Sequence, residues 1–158
     1  MITSLEQTGY RENIPAGSGQ EGWMGHCLTA VEELREVVAD LTGALHQARY
    51  SARDIFAIHL AVEEAVVNAV KHGHRDCPNQ PVWVRYQVTP DQVLVEVEDQ
   101  GPGFDPDQVP DPRTPGNLER CSGRGLFLMR HYSTWVHYNE RGNRVTLCKR
   151  RSKDNASC

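Results

Sequence analysis

The sequence predicts an α/β domain, of the α+β kind, with amphipathic helices packed on one face of antiparallel strands. Three observations carry this. Within Asp54–Gly73, Ile55, Ile58, Val62, Ala65, Val66, Ala69 and Val70 recur at three- and four-residue intervals, giving a helix with one apolar stripe. Val82, Val84, Tyr86 and Val88 alternate with Trp83, Arg85 and Gln87. After a Pro90-Asp91 turn, Val93, Val95 and Val97 alternate with Leu94, Glu96 and Glu98. This pair reads as an antiparallel hairpin with one face on the helices. Finally, a chain of 158 residues, 39% hydrophobic and 24% charged, suits one folded domain around one core.

The elements follow in order. Residues 1–22 are a mixed N-terminal segment, Gly-rich near Gly17 and Gly19, with a weak edge-strand signal at Tyr10–Ile14. The domain itself is expected over 23–150. From about Trp23 to Leu45, Leu28, Val31, Leu34, Val38, Leu41 and Leu45 keep helical spacing and predict a first amphipathic helix, with Gly43 as a point of interruption. The second helix, from Ala52 to His72, has Ser51 just before it and Asp54 three residues later, a capping-box-like start, and Gly73 where a left-handed C-cap is wanted. Arg75 to Pro81 is a turn. Phe104 to Ser122 holds Pro106, Pro110, Pro112 and Pro115 without periodicity, which marks a functional lid or a disordered stretch. Leu126, Phe127, Met129 and Arg130 suggest a helix starting after Gly123-Arg124-Gly125. Trp135, Val136 and Tyr138 form a strand, Arg141-Gly142-Asn143 a turn, and Val145, Leu147 and Cys148 the last strand. Residues 151–158 read as a polar tail. There are no internal repeats and no sign of a second domain.

Composition excludes several classes. A net charge of −4 argues against nucleic acid as a direct partner, because phosphate backbones select basic surfaces. No apolar run reaches membrane-span length. The first fifteen residues lack the blocks of a signal peptide, so a cytoplasmic location is expected. The five cysteines, Cys27, Cys77, Cys121, Cys148 and Cys158, are odd in number and show no CxxC spacing, so reduced thiols are expected rather than disulfides or a zinc knuckle. His72, His74 and Cys77 could bind a metal but read first as a polar turn after a helix. The chain has no GxxxxGK[ST], and its glycine pairs do not extend to GxGxxG, so neither a P-loop nor a Rossmann site is indicated.

What remains is a constellation. Glu64 and Asn68 are four apart and project from one helix face, a carboxylate one turn from an amide. Taken alone, the pair reads first as the solvated edge of an ordinary helix. It gains weight beside a strand ending in Asp99-x-Gly101-x-Gly103 and a lid ending in Gly123-x-Gly125 at a helix start. Glycines let the backbone approach a flat or charged ligand. A glycine-rich helix N-terminus offers free N–H groups and a positive dipole end to phosphate. A strand-end aspartate can accept a hydrogen bond from an exocyclic amine such as that of adenine.

Glu64-x-x-x-Asn68, then Asp99-x-Gly101-x-Gly103-Phe104-Asp105-Pro106, then Ser122-Gly123-Arg124-Gly125-Leu126 resemble the N, G1 and G2 boxes of GHKL ATPases. The compact form resembles the bacterial anti-sigma factors that are serine-protein kinases, of the RsbW and SpoIIAB type, over roughly residues 23–150. The resemblance implies a two-layer sandwich of the Bergerat fold, with a mixed, mostly antiparallel sheet, helices on one face and an ATP lid. It implies ATP and Mg²⁺ as cofactors. Asn68 would hold the metal and Glu64 would be the base for a serine hydroxyl. Asp99 would read the adenine amine, Gly101 and Gly103 would line the base pocket, and Gly123, Arg124 and Gly125 would wrap the phosphates. Its implied partners are a STAS-type anti-anti-sigma protein, as substrate, and a sigma factor or other regulator. Family members are often dimers, so a homodimer is also expected. In the family a Gly-Thr pair commonly opens the last strand and its threonine helps hold adenine through water; here Gly142-Asn143 stands in that place, and Asn143, which can also donate and accept hydrogen bonds, is by that resemblance the expected cofactor contact. Many relatives carry an aspartate where this chain has Thr134. The alternative to catalysis is an ATP-gated protein-binding module. A histidine-kinase fragment is disfavoured because the chain shows no phosphoacceptor segment.

Other residues read blandly. Trp83 and Trp135 are expected to pack on strands, and His59 to sit on a helix surface. Lys71 and His72 suit either a phosphate or the dipole at a helix C-terminus.

Overall fold

The apolar stripe of the long second helix decides the architecture. The computed structural model describes residues 22–73, 80–103, 105–109, 113 and 124–153. Its strands are β1 (Trp23–Leu28), β2 (Val82–Val88), β3 (Gln92–Glu98), β4 (Trp135–Tyr138) and β5 (Arg144–Arg150). Its α-helices are α1 (Leu34–Gln47), α2 (Ala52–Gly73) and α3 (Arg124–Tyr132). Every strand pairing among the described residues is antiparallel, in the order β1-β2-β3-β5-β4. Helices α1 and α2 lie on one face of this sheet, and α3 packs along α2.

The alternation in the hairpin becomes layer assignment. Val82, Val84, Tyr86, Val93, Val95 and Val97 are buried, and the register places Val84 opposite Val97 and Tyr86 opposite Val95. Val97 in turn faces Val145 and Val95 faces Leu147 on β5. From α2, Ile58, Ala61, Val62, Ala65, Val66 and Ala69 complete the core, and Val37, Leu41 and Leu45 of α1 close it. This burial is the main stabilising term, at about 25 cal/mol per Å² of apolar surface.

Two expectations about the elements change. Trp23–Leu28 is not the start of the first helix but an edge strand, paired along its length with β2 from Trp23 opposite Gln87 to Leu28 opposite Val82. The helical spacing of Leu28, Val31 and Leu34 continued the pattern of the real helix backwards, but tertiary pairing to a strand more than fifty residues away overrides it. Helix α1 then runs through Gly43 without interruption. The second sheet face, to which the sequence assigns nothing, carries a buried ion pair. Arg85 and Glu96, opposite each other on β2 and β3, are both buried (3% and 4% exposed) and bonded to each other, with the Arg85 guanidinium 4.7 Å over the Trp23 ring.

The ends of α2 and β5 are tied together. Ser51 Oγ accepts the Asp54 N–H at 3.1 Å, as the cap requires. The Asp54 carboxylate does not reach back to complete a box. It is buried and accepts hydrogen bonds from the N–H and hydroxyl of Ser152, with Lys149 Nζ 3.8 Å away. Arg151 donates to the carbonyls of Pro90, Arg49 and Ala48 and lies over the Tyr50 ring. Arg151 and Ser152, read as the start of a tail, therefore fasten the last strand to the α1–α2 connection. The Tyr10–Ile14 signal lies outside the described residues. Of the lid stretch, Pro106–Gln108 forms one 3-10 turn capped by the Asp105 carboxylate, which accepts from the Asp107 N–H.

Candidate functional site

Helix α2 brings its polar edge to the open side of the sheet. Ala65, Asn68, Ala69 and His72 line one wall of an open cleft; Val97 of β3 and Asp99 just after it, Tyr138 of β4, Gly142 and Asn143 of the β4–β5 turn, and Val145 of β5 line the rest. Asn68 and Asp99, distant in sequence, thus share one cleft.

Asp99 sits at its base, 7% exposed. Its Oδ1 accepts the Gly101 N–H at 2.8 Å, which fixes the side chain in a tight turn. Its backbone N–H donates to the Asn143 carbonyl at 2.9 Å. Gly103 needs its glycine: φ is +78°, and a Cβ there would fall 1.9 Å from the Arg141 carbonyl oxygen. The Gly101 carbonyl accepts from the Arg141 guanidinium at 3.1 Å. The Asp99–Gly103 stretch is therefore folded against the Arg141–Asn143 turn, where Gly142 also has positive φ.

Beside Asn68, α3 starts against α2. A Cβ built on Gly125 would lie 2.8 Å from Glu64 Oε2 and 2.9 Å from Asn68 Nδ2. With a side chain at residue 125 the ends of Glu64 and Asn68 would have to shift, so glycine lets the first turn of α3 approach the carboxylate and the amide together as they stand. Glu64 and Asn68 are half-buried and Arg124 is exposed at the helix start. The first N–H groups of α3 and its positive dipole end face a region where an anion is favoured. Gly123 and Ser122 lie outside the described residues.

Burial raises the pKa of the Tyr138 phenol, with Arg130 opposing and Asp99 reinforcing the shift, so the cleft is lined by a neutral hydroxyl. Glu98, beside Asp99 in sequence, is likewise raised by burial, against the pull of Arg144.

Among the described residues no three His, Cys, Asp or Glu side chains are placed to hold a metal ion. A site built wholly from protein carboxylates or imidazoles is thus missing there. Asn68 offers an uncharged side-chain oxygen, a donor type that could serve Mg²⁺ beside waters and phosphate oxygens. His74 and Cys77 lie outside the described residues.

Asn143 occupies the place flagged by the sequence, but its side chain is engaged inside the protein. Its Nδ2 donates to the Asp99 carbonyl at 2.9 Å and its Oδ1 accepts from Asn139 Nδ2 at 2.9 Å. Asn139 carries no motif signal. Thr134 Oγ1 accepts the Arg150 N–H, closing the β4–β5 end away from the cleft. His59 is exposed beside Glu63, as a surface histidine. Trp83 is half-buried, whereas Trp135, expected to pack, is 41% exposed on edge strand β4.

An antiparallel sheet with helices on one face, and three motifs gathered around the open side, define an ATPase-type domain of the GHKL class. Residues 28–149 match the histidine kinase-like ATPase domain family, and the chain belongs to that family. ATP is the nucleotide that membership implies. The chain is similar to the serine-protein kinase RsbW of Bacillus velezensis, with 39% identity over 95 residues, covering 56% of this chain and 59% of that protein. It is similar to the serine/threonine-protein kinase BtrW of Bordetella bronchiseptica, with 31% identity over 103 residues, 63% of this chain and 72% of that one. RsbW of Listeria innocua is 31% identical over 116 residues, covering 69% and 74%. The match thus spans less than two thirds of the Bacillus protein. A solved structure of the RsbU and RsbW domains of a Mycobacterium tuberculosis protein shares the fold, with a TM-score of 0.52 at 20% identity, over 80% of this chain and 32% of that one. Among the described residues, no helix is long and apolar enough to cross a membrane.

Proposed function

We propose that the chain is an ATP-dependent serine-protein kinase acting as an anti-sigma factor, which phosphorylates a STAS-type anti-anti-sigma protein and sequesters a sigma factor. One observation carries the reading: Glu64, Asn68 and the first turn of α3 at Gly125 meet at one point, and Asn68 shares its cleft with the buried Asp99. The relatives named as serine-protein kinases support it.

Bound Mg-ATP supplies the transferable γ-phosphoryl group and the metal charge that neutralises it. The chain's residues do the rest. Asp99 accepts the adenine amine. Gly101 and Gly103 keep the backbone thin beside the base. Asn68 would contribute an oxygen to the metal. Arg124 and Gly125 at the helix start, with Gly123 before them in sequence, would hold the phosphates. Glu64 takes the proton from the incoming serine hydroxyl, whose oxygen attacks the γ-phosphorus as ADP leaves. Phosphoryl transfer depends chiefly on such positioning and charge stabilisation.

Incubation with Mg-ATP and a STAS-type protein from the same genome should yield phosphoserine, reduced at least about a hundredfold in Glu64→Ala as for loss of a general base, while that variant still binds ATP. Normal ATP binding with no transfer to any such partner, and sigma-factor capture indifferent to Glu64→Ala, would instead identify a non-catalytic, ATP-gated binding module.

A further inference from the structure

We propose that Asn139, which does not line the cleft, is a positioning residue for nucleotide recognition: acting through Asn143, it holds Asp99 where it can read the base. The inference rests on the role given to Asp99 above and adds to it a chain of contacts that the motifs do not contain.

The chain is continuous. Residue 143 grips both backbone groups of residue 99, its carbonyl accepting the Asp99 N–H and its Nδ2 donating to the Asp99 carbonyl, each at 2.9 Å. The Asp99 carboxylate is steadied from the other side by the Gly101 N–H. Asn143 is held in turn by Asn139, whose Nδ2 donates to Asn143 Oδ1 and whose Oδ1 accepts the N–H groups of Asn143 and Arg144, both at 3.1 Å. An amide is nearly symmetric in shape but not in chemistry. The Asn139 Nδ2 donor determines which end of the Asn143 amide faces Asp99. With oxygen towards Asn139, the NH₂ group must face the Asp99 carbonyl. Asp99 and Asn143 are each 7% exposed, so an amide turned the wrong way would place two oxygens together with little water to separate them.

Asn139→Asp tests this. The new carboxylate keeps the acceptor for the Asn143 and Arg144 N–H groups, so the β4–β5 turn is retained. It removes the only donor from residue 139 to Asn143 Oδ1 and invites the Asn143 NH₂ group to turn towards it, which takes the donor away from Asp99. ATP affinity, by calorimetry, should fall about tenfold, equivalent to about 1.4 kcal/mol. GTP presents an acceptor where ATP presents the exocyclic amine and gains nothing from Asp99. The ATP-to-GTP preference should therefore shrink by a similar factor, with the melting temperature within a few degrees of wild type. A merely structural role for Asn139 would lower stability and leave the preference unchanged. Wild-type affinity and preference in Asn139→Asp, with ATP binding lost in Asp99→Asn, overturns the positioning role alone; unchanged binding in both variants overturns the Asp99 reading as well. If Asn139→Asp fails to fold, the wild-type protein decides. Its Asn143 side-chain amide hydrogens should exchange slowly with solvent and more slowly still with ADP bound, and rapid exchange insensitive to ADP overturns the proposal.

Discussion

Gly103 shows how little latitude the stretch after Asp99 has at the scale of a single carbon. Its positive φ and the nearby Arg141 carbonyl both exclude a side chain. Gly103→Ala should cost at least about 2 kcal/mol through backbone strain and overpacking together, measured as a drop in denaturant midpoint; a midpoint equal to wild type would show that the Asp99–Gly103 stretch does not lie against the Arg141 turn. Gly125 makes a complementary point at the start of α3, where the missing Cβ leaves room for Glu64 and Asn68. These residues were legible because their geometry is local: four residues along a helix stack side chains, and glycines in short motifs mark close approach. Asn139 was not legible. Its effect on Asp99 passes through Asn143, forty-four residues from Asp99 in sequence, and exists only once β3 and β5 are paired. The buried Arg85–Glu96 pair was hidden for the same reason. Each residue alone reads as an outward-facing charge, and only the register sets them opposite each other beneath Trp23.

At the scale of the element, helix α2 and strands β2 and β3 follow their periodicity almost residue for residue, because one face of each meets a single apolar layer. Strand β1 does not. Its segment holds Gly25 and an exposed Met24, so it lacks a strict alternation, and its pairing with β2 is long-range information that no local window contains. Helix α1 overrides an interruption signal instead: Leu34, Val37, Leu41 and Leu45 bury one stripe, and Gly43 rides on the exposed side with nothing within 4 Å of a Cβ. Burial of the stripe outweighs the roughly 1 kcal/mol helical penalty of one glycine. Gly43→Ala should therefore raise stability by about 0.5–1 kcal/mol, read from denaturant unfolding; a loss of stability would mean that the helix breaks at Gly43 after all. The fastening of Ser152 to Asp54 and of Arg151 to three carbonyls ties the start of α2 to the end of β5. The helix that carries Glu64 is thus fixed to the sheet at the end remote from the cleft.

For the whole molecule, the topology converts three separated motifs into one site. Strand β3 leads into Asp99 beside the β4–β5 turn, α2 carries Asn68 and Glu64, and the first turn of α3 packs against both through Gly125. The sequence alone exposes the motifs and their order; their convergence required the sheet order β1-β2-β3-β5-β4, which places the last strand between β3 and β4. The most direct measurement is a crystal structure of the protein with Mg²⁺ and a non-hydrolysable ATP analogue. The account predicts the adenine amine within hydrogen-bond distance of the Asp99 carboxylate, the metal on Asn68, and the terminal phosphate between Glu64 and the start of α3. A nucleotide bound elsewhere, or a cleft left empty at saturating analogue, would contradict it.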